Sequence, residues 1–134
     1  MWKLDFWKDP KVFQPGKSTL EDLERIIGRS DFGIYILTPD DKLTIRNKRT
    51  VTARGNVIFE LGIGIGLHCR ERSFIVHDKV YTMSDLSGIT TLGYSVKNGS
   101  KKPNTKECQR VAEEIVEAVR KETDESRSRW TPAN

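Results

Sequence analysis

An unbroken apolar run from Phe32 to Leu37 is bounded by Asp31 on one side and by Thr38-Pro39-Asp40-Asp41 on the other. A run this short reads as a strand, and its lack of polar alternation predicts that both faces are covered. Strands of that kind belong to parallel sheets beneath helices. The flanking segments agree. Ser18 followed by Glu21 has the spacing of a capping box, and Leu20, Leu23, Ile26 and Ile27 repeat at helical period up to Gly28. Leu4 and Phe6 alternate with Lys3 and Asp5, which predicts a strand from Trp2 to Trp7.

Further along, a polar, arginine-rich loop is expected from about Asp40 to Gly55, then a helix capped by Asn56 and running to about His68. Arg72 to His77 reads as the next strand, Ser84 to Gly88 as a turn or single helical turn, and Tyr94 to Val96 as a short last strand. Thr105 can cap a final helix with Val111, Ile115, Val116 and Val119 on its apolar face. One α/β domain over 1–122 follows, with 123–134 a polar tail expected to be disordered. In such domains sites lie outside the carboxyl ends of the strands, here the loops after Trp7, Leu37 and His77.

Composition narrows the function. With 134 residues the chain has room for one domain. No stretch approaches the ~18 apolar residues of a membrane span, and no secretion signal opens the chain. Cys69 and Cys108 lack disulfide or zinc spacing, which fits a cytoplasmic protein without a metal. The net charge of +4 is spread among acids, so nucleic acid is not an expected partner.

Two glycine patterns fall short of nucleotide-binding motifs. Gly16-Lys17-Ser18 resembles the end of a phosphate-binding loop, but the required earlier glycine is Lys11. Gly62, Gly64 and Gly66 miss the dinucleotide fingerprint, whose third glycine would stand at Leu67. Three helical glycines each cost about 1 kcal/mol against alanine, and close packing on the sheet or on another subunit is the expected compensation. A weaker phosphate role survives for Lys17 and the helix start at Ser18 and Thr19, whose N–H groups can hold a diphosphate. Trp7 and Phe13, beside the first loop, can stack on a base or belong to the core. His68 and His77 have no acidic partner at metal spacing and are expected to be structural.

Glu60 is the anomaly, the only ionisable side chain from Val57 to Leu67. Either it occupies a solvent-facing stripe, or it is a partly buried carboxylate at the active edge, where burial is costly and functional.

Four ordered motifs then carry a resemblance. They are Phe13-Gln14-Pro15-Gly16-Lys17-Ser18-Thr19-Leu20, Asp31 to Asp41, Ala53-Arg54-Gly55-Asn56-Val57-Ile58-Phe59-Glu60-Leu61-Gly62, and Ser84-Asp85-Leu86-Ser87-Gly88-Ile89. Together they resemble the TIR domains of bacterial antiviral effectors of the TIR–STING and Pycsar type. The likeness covers roughly residues 2–121. It implies a three-layer, flavodoxin-like fold with a mainly parallel sheet flanked by helices. It also implies an NAD glycohydrolase, with NAD as substrate, no cofactor, and Glu60 as catalytic residue. The substrate-binding candidates are Trp7, Phe13, Lys17, Ser18, Asp40, Arg54 and Asn56.

The chain departs from the family's pattern twice. Gly55 stands where the family usually has aspartate. The strand and helix that precede the stretch matched by Trp2 to Trp7 are absent from this sequence, so the fold is expected to be N-terminally shortened. In flavodoxin-like order the first strand is central. A gap there predicts an open edge, closed by the neighbouring strands or filled by a second copy, and self-association is the expected outcome. A cyclic-nucleotide sensor, the partner the resemblance suggests, is not in this chain. The competing reading is a catalytically inactive module for nucleotide binding or self-association.

Overall fold

A computed structural model describes residues 3–6, 18–78, 86, 88–98, 100 and 102–129. The elements in order are α1 (Thr19–Arg29), β1 (Gly33–Leu37), β2 (Asp41–Ile45), β3 (Lys48–Thr52), α2 (Gly55–His68), β4 (Ser73–His77), β5 (Thr90–Gly93) and α3 (Thr105–Arg129). A 3-10 turn, Arg70–Arg72, leads into β4. β1, β4 and β5 form a parallel sheet in that order, with Gly33 opposite Ser73 and Phe74 opposite Thr90. Helices flank it, as the α/β reading requires. α2 packs on β1 and β4, α1 lies against α2, and α3 lies against β5 and the 3-10 turn.

α1 forms where its capping box predicts. The Ser18 N–H donates to Glu21 Oε2 at 2.8 Å, and the Glu21 N–H donates to Ser18 Oγ at 3.2 Å. Leu23 and Ile27 are buried on its inner face. β4 is the middle strand, and Ser73 to Val76 are all buried, so both its faces are covered. α3 buries Val111 and Val119, two of the four expected apolar positions.

Several expectations are corrected. Residues 3–6 of the expected Trp2–Trp7 strand form no strand, and Leu4 and Phe6 are exposed. A strand needs a hydrogen-bonding neighbour, and none is present for this segment among the described residues. β1 is not covered on both faces. Tyr35 and Leu37 are buried in the core, whereas Ile34 and Ile36 are 38% and 55% exposed. Among the described residues, only β4 pairs with β1, so its other edge carries no strand.

The expected arginine-rich loop is a hairpin. β2 and β3 pair antiparallel around Arg46 and Asn47, both at positive φ (47° and 63°), which is type I′ turn geometry. α2 is capped by Arg54 rather than Asn56, and Asn56 falls inside the first turn without capping it. The last strand is Thr90–Gly93, not Tyr94–Val96. Tyr94 still donates its N–H to the His77 carbonyl at 2.9 Å, just beyond the ladder. Asn104, not Thr105, caps α3 by accepting the Glu107 N–H at 2.9 Å. The helix continues through residues 123–129, where the polar composition suggested a tail.

The core joins Tyr35 and Leu37 of β1, Ala53, Leu61 of α2 and Ile75 of β4. One close approach sets its geometry. A Cβ added at Gly64 would lie 1.6 Å from the Tyr35 hydroxyl oxygen, so only glycine lets α2 reach β1 here. Gly62 and Gly66 have nothing within 4 Å of an added Cβ, so close packing accounts for one of the three helical glycines.

Alanine at the two kinds of site should therefore act in opposite directions. Gly62→Ala should raise stability by ~0.5–1 kcal/mol through helix propensity. Gly64→Ala should lower it by ~1–3 kcal/mol through overpacking. Denaturant midpoints check this; equal shifts in one direction would contradict the packing of α2 on Tyr35.

Candidate active site

The carboxyl ends of the three parallel strands gather the polar groups that the sheet geometry predicts for a site. After β1, the Thr38 hydroxyl donates to Asp40 Oδ2 at 2.5 Å. The same carboxylate pairs with Arg54 Nε at 3.4 Å, linking the β1 exit to the start of α2. Both partners are well exposed, so the pair is worth at most ~1 kcal/mol and serves orientation more than stability. Asp78 follows β4 and Tyr94 follows β5. Burial, then the charges of Asp78, Asp40 and Cys108, pushes the Tyr94 phenol up from its ordinary value.

α3 pins the β5 exit. Arg110 donates to the Gly93 carbonyl at 2.7 Å, and Glu107 accepts the Ser95 N–H at 2.9 Å. Arg110 and Glu107 are bonded to each other at 2.7 Å. One rim of the site is thus tied to the far helix by charge-assisted bonds.

Glu60 sits in the second turn of α2 and is half-buried. The solvent-facing positions of that helix are Gly55, Asn56, Phe59, Gly62, Gly66 and Leu67. Phe59 is 57% exposed, so an aromatic side chain meets water while the carboxylate beside it is partly withdrawn. Glu60 lies at the border of the exposed stripe, four residues from exposed Asn56 and beside exposed Phe59. Its neighbour is Tyr35, whose phenol is pushed up to about 12, first by burial and then by the Glu60 charge.

The remaining candidates divide. Asp40, Arg54 and Asn56 lie at the sheet's carboxyl edge or the start of α2. The Ser18 hydroxyl is engaged by Glu21, and Glu21 takes up the Ser18 N–H, so the capping box already fills part of the helix start proposed for phosphate. Trp7, Phe13 and Lys17 lie outside the described residues. His68 is structural, with Nε2 at 2.6 Å from the Ile27 carbonyl, tying α2 to α1. Among the described residues no cluster of His, Cys, Asp or Glu could hold a metal ion, and Cys69 and Cys108 are free. No helix among them is long and apolar enough to cross a membrane. Sequence reasoning passed over Tyr35, Asp78 and Tyr94. The available signal for Tyr35 was its place in a strand as the one residue of Phe32–Leu37 with a hydroxyl.

Residues 3–96 match the family described as CAP12/Pycsar effector protein, TIR domain. The chain belongs to this TIR family. Relatives agree with that assignment. Pycsar effector protein PaPycTIR of Pseudomonas aeruginosa is 44% identical over 86 residues, covering 62% of this chain and 28% of the relative. Pycsar effector protein XpPycTIR of Xanthomonas perforans is 33% identical over 121 residues, covering 87% of this chain and 40% of the relative. CD-NTase-associated protein 12 of Niabella drilacis is 33% identical over 99 residues, with 73% and 31% covered. This TIR domain therefore spans between 28% and 40% of the length of these relatives.

The capping role of Ser18 has a direct test. Ser18→Ala removes the oxygen that accepts the Glu21 N–H and should cost ~1 kcal/mol of unfolding free energy. A thermal or denaturant midpoint indistinguishable from wild type would show that the box does not hold α1.

Proposed function

We propose that this TIR domain cleaves NAD between ribose and nicotinamide, with Glu60 as its catalytic residue. The observation that carries the reading is the half-buried carboxylate in an apolar helix of this family, at the border between the helix's exposed and buried faces. The reaction is a glycoside hydrolysis. Most glycosidases use two carboxylates, one to protonate the leaving group. Nicotinamide in NAD already leaves as a cation's neutral product, so one carboxylate suffices. The C1′–N bond breaks and its electron pair neutralises the nicotinamide nitrogen. Glu60 stabilises the oxocarbenium charge and orients the ribose hydroxyls. Water then adds to C1′ and releases a proton, giving ADP-ribose. Arg54 and Asp40, with Lys17, Ser18, Asn56, Trp7 and Phe13 around them, are the proposed contacts to the rest of the dinucleotide. The enzyme requires no cofactor in this reading.

As a Pycsar-type effector, the domain would act in bacterial antiviral defence in the cytoplasm. A cyclic-nucleotide sensor would lie in the part of the relatives that this chain does not match. A second reading, a self-association module, is favoured by one observation. The outer edge of β1 has no strand partner among the described residues, and Ile34 and Ile36 stand exposed beside it. Unpaired apolar edges pair with other chains. The two readings are compatible if assembly completes the site.

Purified protein incubated with NAD should release free nicotinamide. Glu60→Gln should keep the fold and lower the rate by about 10²–10³. Near wild-type turnover in that variant would falsify the catalytic role of Glu60. Sedimentation at micromolar concentration should show dimers or larger species; a cooperative, monomeric protein would contradict self-association through β1.

A further inference from the structure

The chain's net charge is concentrated in one element. Of its 23 basic and 19 acidic residues, four basic and no acidic ones fall within 42–52, which leaves 19 of each elsewhere. The four are Lys42, Arg46, Lys48 and Arg49, and all are exposed. Among the described residues none of them makes an ion pair or a side-chain hydrogen bond. β2 and β3, which carry them, form a two-stranded sheet separate from the parallel one. The ribbon's one acid, Asp41, pairs with Thr52 at its base, away from the tip. Lys42 stands opposite Val51, and Thr44 opposite Arg49. Opposed residues share a face and successive residues alternate. Lys42 and Arg49 therefore lie on one face of the ribbon, Lys48 on the other, and Arg46 at the tip. The tip cation is held in a disfavoured backbone conformation. Arg46 has φ 47°, where glycine or asparagine makes the same turn without strain.

A flat anionic surface, such as a membrane or an acidic protein face, meets one face of a ribbon and leaves the cations on the other in water. A groove with a phosphate wall on each side meets both. The major groove of B-form DNA, about 12 Å wide, admits a two-stranded β-ribbon. Strands about 4.8 Å apart fit that width, and five residues reach about 17 Å. The major groove of A-form RNA is too deep and narrow to admit one. We propose that the β2–β3 ribbon is a docking element for double-stranded DNA. It enters the major groove with Lys42 and Arg49 toward one phosphate wall, Lys48 toward the other and Arg46 leading. Four phosphate contacts make this binding weak and independent of sequence. A charge averaged over the whole chain predicts no nucleic-acid partner; the fold gathers that charge on one projecting element. Nothing in this inference depends on the reading of Glu60 or on NAD.

Fluorescence anisotropy of a short labelled DNA duplex, titrated with the full chain, tests this. Four released counterions give a log–log salt slope of about −3.6, so affinity should fall about 150-fold between about 50 and 200 mM salt. Arg46→Gln should weaken binding and make the slope shallower by about 0.9. Arg46→Gly, which removes the cation while relaxing the turn, should bind as weakly as Arg46→Gln. Lys42→Gln, Arg46→Gln, Lys48→Gln and Arg49→Gln combined should abolish binding. Lys97→Gln with Lys106→Gln, which removes exposed positive charge elsewhere, should bind like wild type. An RNA duplex of the same length should bind about tenfold more weakly or worse. Absence of DNA binding at low salt and about 100 μM protein overturns the proposal. So does wild-type binding by Arg46→Gly, or an equal loss in the Lys97 and Lys106 control. Equal affinity for the two duplexes overturns the groove, and binding to phosphatidylserine vesicles without binding to DNA assigns the ribbon to a membrane instead.

Discussion

The contact between Gly64 and the Tyr35 hydroxyl sets how far α2 can settle onto β1, and most of the structure follows from that distance. With the helix that close, Leu61 is fully buried against Leu37 and Ile75, and Val57, Ile58 and Ile65 close the cluster around them. The same rotation of α2 fixes where Glu60 points. It is neither on the buried stripe with Leu61 nor on the exposed one with Phe59. Packing that holds a carboxylate half out of water costs free energy, and the proposed NAD cleavage would use that charge.

The sheet supplies the rest by topology. Parallel strands deliver their carboxyl ends to one side, so Thr38, Asp40, Asp78 and Tyr94 converge without being close in sequence. α2 begins at that side with Arg54, and the Arg54–Asp40 pair joins the two segments. The opposite end of the molecule is bound differently: the His68 ring ties the end of α2 to α1 through a backbone carbonyl. Membership in the CAP12/Pycsar effector TIR family fits this arrangement, since the matched residues 3–96 take in β1, α2, β4 and β5.

Much of this was legible in the sequence, and the misses have physical causes. α1 was readable because Ser18 and Glu21 form a local capping box whose energetics need no tertiary context. β1 and β4 were readable as apolar runs, but covering both faces of β1 depends on neighbours that local pattern cannot supply, and Ile34 and Ile36 are left exposed. The β2–β3 hairpin was missed because its turn, Arg46-Asn47, lacks the glycine that usually marks positive φ, although asparagine tolerates it. Asn56, a favourable capping residue, points to a helix start two residues too late, because Arg54 begins α2 without any side-chain cap bond for a sequence pattern to show. Glu60 stood out by being alone in an apolar run. Tyr35 did not, because a buried tyrosine in a strand looks like any core aromatic until the glycine opposite its hydroxyl is known.

The central claim is that Glu60 faces the nicotinamide ribose. A crystal structure of the protein with a non-hydrolysable carbocyclic NAD analogue tests it most directly. The ribose-equivalent hydroxyls should lie within hydrogen-bond reach of the Glu60 carboxylate, about 2.6–3.2 Å. The adenylate half should run toward Arg54 and the sheet's carboxyl edge. An analogue bound with its ribose away from α2, or one that does not bind while the protein is folded, would contradict it.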